Sequence, residues 1–147
     1  MNPSNYEIRR ARLPDAAALA ACIDAAYARY AARISDLPAV SDGCAEDIAE
    51  NQVWVAVCGN DVVAGLVLVP DDRFLKLANV AVHPDHGGRG LGRVLVEHAN
   101  AEASRQGYRE LRLRTHVDMP DNLRFYAGLG WEEIERRENT VTMRKQL

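Results

Sequence analysis

Residues 80–93 place a strand, a glycine-rich turn and a helix start in direct succession, and this segment restricts the fold more than any other. Residues 80–82 form a β-prone run, and Pro84 stops it because proline has no amide hydrogen to give to a sheet. Four of the six residues 87–92 are glycine, and a helical apolar pattern begins at Leu91. A chain with this order must combine strands and helices in one fold.

The rest of the chain alternates in the same way between strand-like and helix-like patterns. Strand-like runs occur at residues 6–11, 53–57, 62–69, 74–82, 111–115, 131–137 and 140–144. Helical patterns begin at Pro14, near Cys44, at Leu91 and at Pro120 or Asp121, and they end at Leu37-Pro38, Glu50, Gly107 and Tyr126. Because there is no internal repeat and no linker-like stretch, the sequence predicts a single α+β domain over residues 1–147, with one mixed sheet.

Composition excludes several classes of protein. The 147 residues are 48% hydrophobic and carry a formal net charge of −3, unlike a disordered chain and unlike most proteins that bind nucleic-acid phosphates. No apolar stretch approaches the ~18 residues of a membrane span, and the first residues lack the order of a secretory signal. Cys22, Cys44 and Cys58 are far apart and predict reduced, packed thiols. We expect a cytoplasmic protein with no nucleic-acid or membrane partner.

The glycine-rich turn is typical of an anion site at a helix start. The first turn of a helix presents unpaired N–H groups and the positive end of the helix dipole, and glycines let an oxygen approach them. Arg89 and Arg93 add positive charge at the same end. The spacing matches neither a P-loop nor a dinucleotide fingerprint. A diphosphate-containing ligand suits this turn, and a glycine-rich helix start without a ligand is the alternative.

Two motifs resemble those of the GNAT superfamily of N-acetyltransferases. Val82-His83-Pro84 followed by residues 87–92 (GGRGLG) is similar to the acetyl-CoA-binding signature of that family. Residues 122–131 (NLRFYAGLGW) are similar to its N-x-x-x-Y-x-x-L-G-[FYW] segment. The order of strands and helices agrees as well, so the resemblance covers nearly the whole chain. It implies a mixed central sheet flanked by helices on both faces.

The resemblance also implies an activity: transfer of an acetyl group from acetyl-CoA, as co-substrate, to a primary amine, without a metal. The strand before the turn would face the pantetheine arm and the acetyl carbonyl, where a backbone N–H could stabilise the developing oxyanion. Amides of the turn, with Arg93, would hold the pyrophosphate, and Asn122 would lie near the thioester. The cofactor-binding residues implied are Val80, Ala81, Val82, Gly87, Gly88, Arg89, Gly90, Leu91, Gly92, Arg93 and Asn122.

Two steps of such a reaction need a proton donor and a proton acceptor. Tyr126 matches the tyrosine with which the family protonates the departing thiolate, and packing against Trp131 is the alternative explanation. The attacking amine must lose a proton, because an alkylammonium has a pKa of about 10. His116 and Asp118 are candidate bases, while an exposed loop histidine or a water chain is left open. His98 lies on an apolar helix stripe and is predicted to be a satisfied core residue.

The chain departs from the family pattern at two positions. Gly87 stands where the family usually has Gln or Arg, which removes one side-chain contact to the pyrophosphate. Ala78 stands where related sequences often carry a glutamate general base, and a bulge decides whether Ala78 or Asn79 lines the cleft. His83 and His86 are three residues apart, but no carboxylate or cysteine set completes a metal site with them.

The acceptor is less constrained than the donor. Tyr27, Tyr30 and Arg33 lie at helical spacing and could present an aromatic wall and a cation to a carboxylate-bearing substrate, or the two tyrosines pack on the sheet. We predict the amine of a small metabolite as acceptor. A peptide or protein amine, and a CoA-binding module without turnover, are the alternatives. A homodimer is a further expectation, from apolar residues of the last hairpin that core packing also explains: Trp131, Ile134, Val141 and Met143.

Overall fold

The computed structural model describes residues 6–32, 34 and 42–147. The strands are β1 (Glu7–Arg10), β2 (Gln52–Cys58), β3 (Asp61–Pro70), β4 (Leu75–Val82), β5 (Glu110–His116), β6 (Glu132–Arg137) and β7 (Thr140–Gln146). The helices are α1 (Ala16–Ala31), α2 (Cys44–Glu50), α3 (Leu91–Arg105) and α4 (Pro120–Gly128). Short 3-10 turns at Leu13–Asp15 and Pro84–His86 precede α1 and the glycine turn.

The strands form a seven-stranded sheet in the order β1-β2-β3-β4-β5-β7-β6. Neighbouring strands are antiparallel except β4 and β5, which run parallel. The connection from β4 to β5 therefore has to cross from one end of the sheet to the other, and α3 makes that crossing. The α+β class with one mixed sheet, predicted from the order of patterns, is confirmed.

Helices cover both faces of the sheet but not its whole area. The core beneath α3 and α4 draws buried residues from β2 to β5 and β7, among them Leu66, Leu111 and Met143. The cluster beneath α1 and α2 includes Leu19 and Val55 and contains no described residue of β5, β6 or β7. On that face the β5–β7–β6 half of the sheet is bare of any apolar cluster among the described residues, and Arg112, Arg114 and Thr142 line a cavity there.

The parallel strands β4 and β5 stay together over a very short distance. Their paired residues are Leu75 with Leu111 and Lys76 with Arg112, near the start of both strands. The pairing of β3 with β4 shifts by one residue beyond Val67, which leaves Ala78 as the extra residue of a β-bulge. A bulge bends its strand, and β4 departs from β5 from this point on. The result is a fork in the middle of the sheet.

Several predicted boundaries move by a few residues. Pro14 lies in the 3-10 turn before α1 instead of in the α-helix itself, and α4 continues to Gly128, two residues past Tyr126. The residue that precedes α2 is Gly43 with φ +81, while Ser41, also predicted as part of the cap, lies outside the described residues. The predicted helix end at Leu37-Pro38 lies outside them as well. In the described part of the chain, no helix combines the length and apolarity needed to cross a membrane.

His98, predicted as a satisfied core residue, is half-buried, and one of its ring nitrogens lacks a partner among the described residues. Its ring packs edge-on against Trp54, with the ring centroids 4.2 Å apart. Its Nε2 atom has no hydrogen-bond partner among the described residues, and neither has the Trp54 indole nitrogen. Burial lowers the pKa of His98, so the neutral ring is the form that this position favours. An apolar stripe predicts burial of a histidine, but it does not predict a partner for each ring nitrogen.

Candidate active site

Two cavities open on either side of the fork between β4 and β5. The turn-side cavity, ≈ 370 Å³, extends along β4 to the glycine turn, and the β5-side cavity, ≈ 380 Å³, extends between β4 and the end of β5. They share a wall, and the residues lining both are Tyr27, Val80, Met119, Asn122 and Tyr126. A group bound at this wall is accessible from both cavities.

The glycine turn has the conformation that its sequence requires. Gly88 and Gly90 have φ of +74° and +79°, in the left-handed region that side-chain-bearing residues avoid. Gly90 is the N-cap of α3, and the first helical amide that reaches an intrahelical carbonyl is that of Val94, 3.1 Å from the Gly90 oxygen. The amides of residues 91–93 precede it and have no acceptor within the helix. They lie where the sequence predicts the anion site.

The two arginines of this segment contact other protein groups. Arg89 donates to the Tyr6 hydroxyl at 3.2 Å and lies beside His86, whose Nδ1 is 2.9 Å from the same hydroxyl. Arg93 is largely exposed and pairs with Glu97 one turn further along α3, at 3.0 Å. The side chains that were expected to add charge at the pyrophosphate are thus engaged elsewhere in this structure. The binding capacity of the turn resides in its backbone.

Of the predicted cofactor-binding residues, some line the cavities and some do not. Those lining the turn-side cavity are Val80, Ala81, Val82, Gly88, Gly92 and Asn122. Those lining neither cavity are Gly87, Arg89, Gly90, Leu91 and Arg93, which form the rest of the turn and the helix start. A Cβ added to Gly92 would make ordinary contacts with Phe125 and Val82, so this glycine is not required by lack of space.

The backbone of β4 is split between the sheet and the fork. The amide of His83 donates to the Val63 carbonyl of β3 at 2.9 Å. Backbone groups alternate in direction along a strand, so those of Ala81 also point to β3 and those of Val80 and Val82 point to the fork. Two of the three predicted β4 residues therefore present polar backbone groups to the cavities, while Ala81 contributes to the wall without doing so.

Tyr126 is held rigidly in the shared wall. Its side chain is 6% exposed and packs edge-on against Phe125 and Trp131, with ring centroids 5.0 and 5.5 Å away. The packing explanation and the functional explanation are compatible, because the ring that packs on Trp131 also lines both cavities. Burial, with a smaller effect of Tyr27, raises the pKa of Tyr126 well above its ordinary value. The hydroxyl is a neutral proton donor over the physiological pH range.

Tyr27 and Asn79 join α1 to the bulged strand. The Tyr27 hydroxyl donates to the Asn79 side-chain oxygen at 3.0 Å, and burial raises the pKa of Tyr27 to about 12. Both Ala78 and Asn79 line the β5-side cavity, as the bulge allows. Tyr30 lines the turn-side cavity and packs on Met119, while Arg33 lies outside the described residues.

His116 lies at the end of β5 in the β5-side cavity, with its side chain 8% exposed. It is not the exposed loop histidine that the sequence left open. Its Nδ1 accepts a hydrogen bond from the Asp118 amide at 3.1 Å, and the Asp118 carboxylate lies 3.8 Å from the same atom. With Nδ1 as the acceptor, the neutral ring carries its proton on Nε2.

Several residues of the β5-side cavity were not predicted. They come from β4, from β5, from the loop before α4 and from the β6–β7 hairpin, and they are Leu77, Leu113, Arg114, Thr115, Met119, Asn139 and Thr140. The alternation of arginines with leucines along β5 was the one signal for Arg114, because it predicts one polar face. The acidic residues before and within α2, which are Asp42, Glu46 and Asp47, line neither cavity.

The two histidines before the glycine turn have other partners. His83 Nδ1 accepts from the Asp85 amide at 3.1 Å, and His86 contacts Tyr6 and Arg89. No group of three His, Cys, Asp or Glu side chains suited to a metal ion occurs among residues 6–32, 34 and 42–147.

Comparison with known proteins decides the family. Residues 49–133, more than half of the chain, match the model of the acetyltransferase (GNAT) domain. The chain belongs to the GNAT family. The matched range contains the bulged strand, the glycine turn, α4 and Tyr126, so the resemblance inferred from the two motifs is confirmed.

Relatives in this family differ in what they act on. The [ribosomal protein bS18]-alanine N-acetyltransferase of Escherichia coli is 36% identical over 63 residues, 43% of this chain and 43% of that protein. N-acetyltransferase 8F1 of Rattus norvegicus is 28% identical over 102 residues, 65% of this chain and 46% of that protein. The matches thus span less than half the length of these curated relatives.

Solved structures support the fold over nearly the full chain. The crystal structure of PaiA N-acetyltransferase from Thermoplasma acidophilum, in complex with coenzyme A, superposes with a TM-score of 0.87. It covers 97% of this chain and 99% of that chain at 16% identity, a level at which the likeness shows the fold alone.

Proposed function

We propose that this protein is an N-acetyltransferase that moves an acetyl group from acetyl-CoA to a primary amine by direct attack, with Tyr126 as general acid. The observation that carries the proposal is the shared wall. One cavity leads from it to an anion site made of glycine-turn amides, the other leads to solvent past His116, and the Tyr126 ring lines both. A donor and an acceptor can approach each other there without a covalent enzyme intermediate.

The donor is proposed to lie in the turn-side cavity. The pyrophosphate would accept hydrogen bonds from the amides of residues 88–93, at the positive end of α3. The proposed binding of the pyrophosphate relies on backbone amides. It therefore does not need the Gln or Arg side chain that Gly87 replaces. The likeness to a CoA-bound fold supports the assignment. The pantetheine arm would run along β4, where the backbone groups of Val80 and Val82 point to the fork.

The chemical step is proposed to take place at the shared wall. The amine lone pair attacks the thioester carbonyl carbon, and a β4 amide hydrogen stabilises the negative charge that develops on the carbonyl oxygen. The carbon–sulfur bond then breaks, and the sulfur takes a proton from the Tyr126 hydroxyl. A thiol is a good leaving group, so a neutral phenol is a sufficient acid. Asn122, 3.4 Å from the Thr115 hydroxyl, completes the wall near the sulfur.

The amine proton has two proposed destinations, His116 and solvent. His116 accepts it at Nδ1 only if that atom releases the Asp118 amide, after which the Asp118 carboxylate would stabilise the imidazolium. A His116→Gln variant separates the two routes. If His116 is the base, kcat/KM falls about a hundredfold at neutral pH and recovers as the pH approaches the pKa of the amine. If solvent takes the proton, the pH profile keeps its shape.

For the acceptor we propose the amine of a small metabolite, since the volume of the β5-side cavity suits one. A peptide α-amine is a second candidate because one relative acetylates the alanine of a ribosomal protein. We also propose a cytoplasmic location. The three cysteines, all within the described residues, form no disulfide, which supports a reducing compartment.

Thiol release tests the proposed function. Purified protein is incubated with acetyl-CoA and a panel of small amines and short peptides, and products are identified by mass spectrometry. We expect acceptor-dependent release of CoA with one acetyl group gained per amine. Tight acetyl-CoA binding without turnover of any acceptor would contradict the proposal and favour a binding module. Modification confined to peptides would shift the acceptor class while retaining the chemistry.

A further inference from the structure

Arg114 stands at the junction of two cavities. It lines the β5-side cavity, and it also lines a third cavity of ≈ 220 Å³ on the bare face of the sheet, here called the Phe74 cavity. On β7 the residue opposite Arg114 is Thr142, and on the other side β4 has already departed from β5. The guanidinium therefore lies beside the open mouth of the fork with no strand covering it.

Arg114 lacks the acidic partner that its neighbours have. Arg112, two residues earlier on the same face, pairs with Glu110 and stacks on Phe74, with the guanidinium carbon 4.6 Å from the ring centroid. Arg144 pairs with Glu132 and lies 3.7 Å from Glu110. Within the part of the chain that the structure describes, Arg114 makes neither an ion pair nor a side-chain hydrogen bond. An arginine in this setting has its bidentate donor face available.

The lining of the β5-side cavity contains no carboxylate among the described residues. Its ionisable groups are Tyr27, Tyr126, His116 and Arg114, and both tyrosines are held neutral by burial. Arg114 is therefore the one permanent charge in the described lining of this cavity, and the Asp118 carboxylate lies behind His116, 3.8 Å from its Nδ1 atom. The Phe74 cavity adds Lys76 and Arg112, of which Arg112 is already paired with Glu110, and the carboxylates of Asp71 and Glu135.

We propose that Arg114 selects acceptors that carry a carboxylate in addition to the amine. The inference rests on the proposed function, because it takes the β5-side cavity as the acceptor site. The carboxylate would bind the Arg114 guanidinium while the amine lies at the shared wall near His116. Since Arg114 and His116 are two residues apart on one strand, their Cα atoms are about 7 Å apart, and an acceptor with a similar distance between amine and carboxylate suits the two side chains. An ω-amino acid and a peptide with an acidic second residue both meet that distance.

Matched pairs of acceptors test this selection. One pair is 5-aminopentanoate and its amide, and the other is glycyl-aspartic acid amide and glycyl-asparagine amide. Each pair differs in one negative charge at the required distance. We expect wild-type kcat/KM to favour the charged member by about tenfold or more in at least one pair. The pair with the larger preference identifies whether a metabolite or a peptide is the source of the carboxylate.

Variants assign the preference to Arg114. In Arg114→Gln the ratio of kcat/KM for the charged acceptor to kcat/KM for the neutral acceptor should fall to about one. Arg114→Glu should reverse the ratio and admit diamines. The matched control is Arg105→Gln, which removes an equally exposed positive charge at the far end of α3, paired with Glu102. Its ratio should equal that of the wild type.

The outcomes separate this inference from the proposed function. Acceptor turnover with equal kcat/KM for both members of each pair, or a preference that survives Arg114→Gln, would overturn the role of Arg114 and leave the acetyltransferase intact. If no acceptor is acetylated, calorimetry of the same pairs against the CoA-saturated protein measures the preference directly. Stronger binding of the charged members that Arg114→Gln abolishes supports the inference, and equal binding contradicts it.

Discussion

The turn-side and β5-side cavities meet at one wall, but one takes its polar groups from the backbone and the other takes them from side chains. The turn-side cavity takes its anion site from backbone amides within residues 88–93, one continuous segment that glycines keep accessible. The β5-side cavity takes its polar groups from side chains of α1, β4, β5, α4 and the β6–β7 turn. A backbone site leaves a compact signature in the sequence. A site assembled from distant side chains leaves only scattered signals, such as those that pointed to His116 and Tyr126.

The difference agrees with a division of tasks in the proposed reaction. A donor common to a whole family can be bound by groups that every residue has, provided that glycines keep them open. An acceptor that differs between relatives needs side chains that can change one at a time. The wall shared by both cavities, which contains Tyr126, is where the proposed donor and acceptor come into contact. Variants at the wall, in the turn and in the β5-side cavity should therefore behave differently.

The largest effect is expected at the wall itself. Tyr126→Phe keeps the packing on Trp131 but removes the proton donor, so kcat should fall by about 10²- to 10⁴-fold with little change in the Kd of acetyl-CoA. Stopped-flow thiol release and calorimetry measure the two quantities. Because the pKa of Tyr126 is raised, its ionisation should add no alkaline decline to the wild-type profile below about pH 10.

Tyr108→Phe is the matched control for that variant. Its hydroxyl donates to the Asp71 carbonyl at 3.1 Å and lines none of the three cavities. Its kcat should equal that of the wild type. An equal loss in both variants, or no loss in Tyr126→Phe, would remove Tyr126 from the chemical step.

A smaller effect is expected in the turn, and on donor binding. Gly90→Val forces a β-branched residue into a φ of +79°, which costs about 1–2 kcal/mol and tilts the first amides of α3. Acetyl-CoA affinity should weaken by about tenfold. Gly59→Val is the control, because Gly59 has φ +63° in the β2–β3 turn with no neighbour within 4 Å of an added Cβ. Calorimetry showing equal loss in both variants would mean that only stability, not the anion site, had changed.

On the acceptor side, the Tyr27–Asn79 hydrogen bond is expected to have a modest effect. Tyr27→Phe removes a bond worth about 1 kcal/mol and releases Asn79 in the cavity wall. The KM of the acceptor should rise several-fold while the Kd of acetyl-CoA stays unchanged. A double-mutant cycle with Asn79→Ala should show a coupling of about 1 kcal/mol in chemical denaturation. Additive losses would mean that the two groups do not interact.

The smallest effect on either cavity is expected from the Arg9–Asp15 ion pair, which joins β1 to the turn before α1. The Arg9 guanidinium, 2.8 Å away, lowers the pKa of Asp15 from 3.8 to about 2. A lowered carboxylate pKa stabilises the fold above about pH 4, and this contribution disappears as the pH falls to about 2. Its upper value is about 2 kcal/mol.

Asp15→Asn tests that ion pair. Its free energy of unfolding should be lower than that of the wild type at pH 7 and converge with it near pH 2, while kcat/KM at pH 7 stays unchanged. Urea denaturation at several pH values measures the first quantity. A constant difference across pH would mean that the charge of Asp15 does not stabilise the fold.

The features that the sequence predicted are those formed by contiguous residues. Strand and helix order, the mixed sheet and the glycine turn were predictable because alternation, proline and glycine act over a few residues. A bulge near Ala78 was considered, but its exact position and the short pairing of β4 with β5 were not predictable, since they depend on strands that are distant in sequence. Arg114 was missed for the same reason. A cation was expected at Arg33, which lies outside the described residues.

Some partners could not be predicted from local signals. Arg93 was assigned to the pyrophosphate from its position, and in this structure it pairs with Glu97 four residues later, so the assignment stays a prediction. Three of the four hairpin residues considered for a homodimer, Trp131, Val141 and Met143, are buried in the core, while Ile134 is 39% exposed. An apolar pattern on a strand predicts burial, but it does not say whether the covering surface comes from the same chain.

A crystal structure of the protein with coenzyme A tests the central claim most directly. The account predicts pyrophosphate oxygens about 3 Å from amide nitrogens of residues 88–93, and the sulfur at the shared wall beside the Tyr126 hydroxyl. Coenzyme A bound elsewhere, or bound at the turn with its sulfur directed away from Tyr126 and the β5-side cavity, would contradict it.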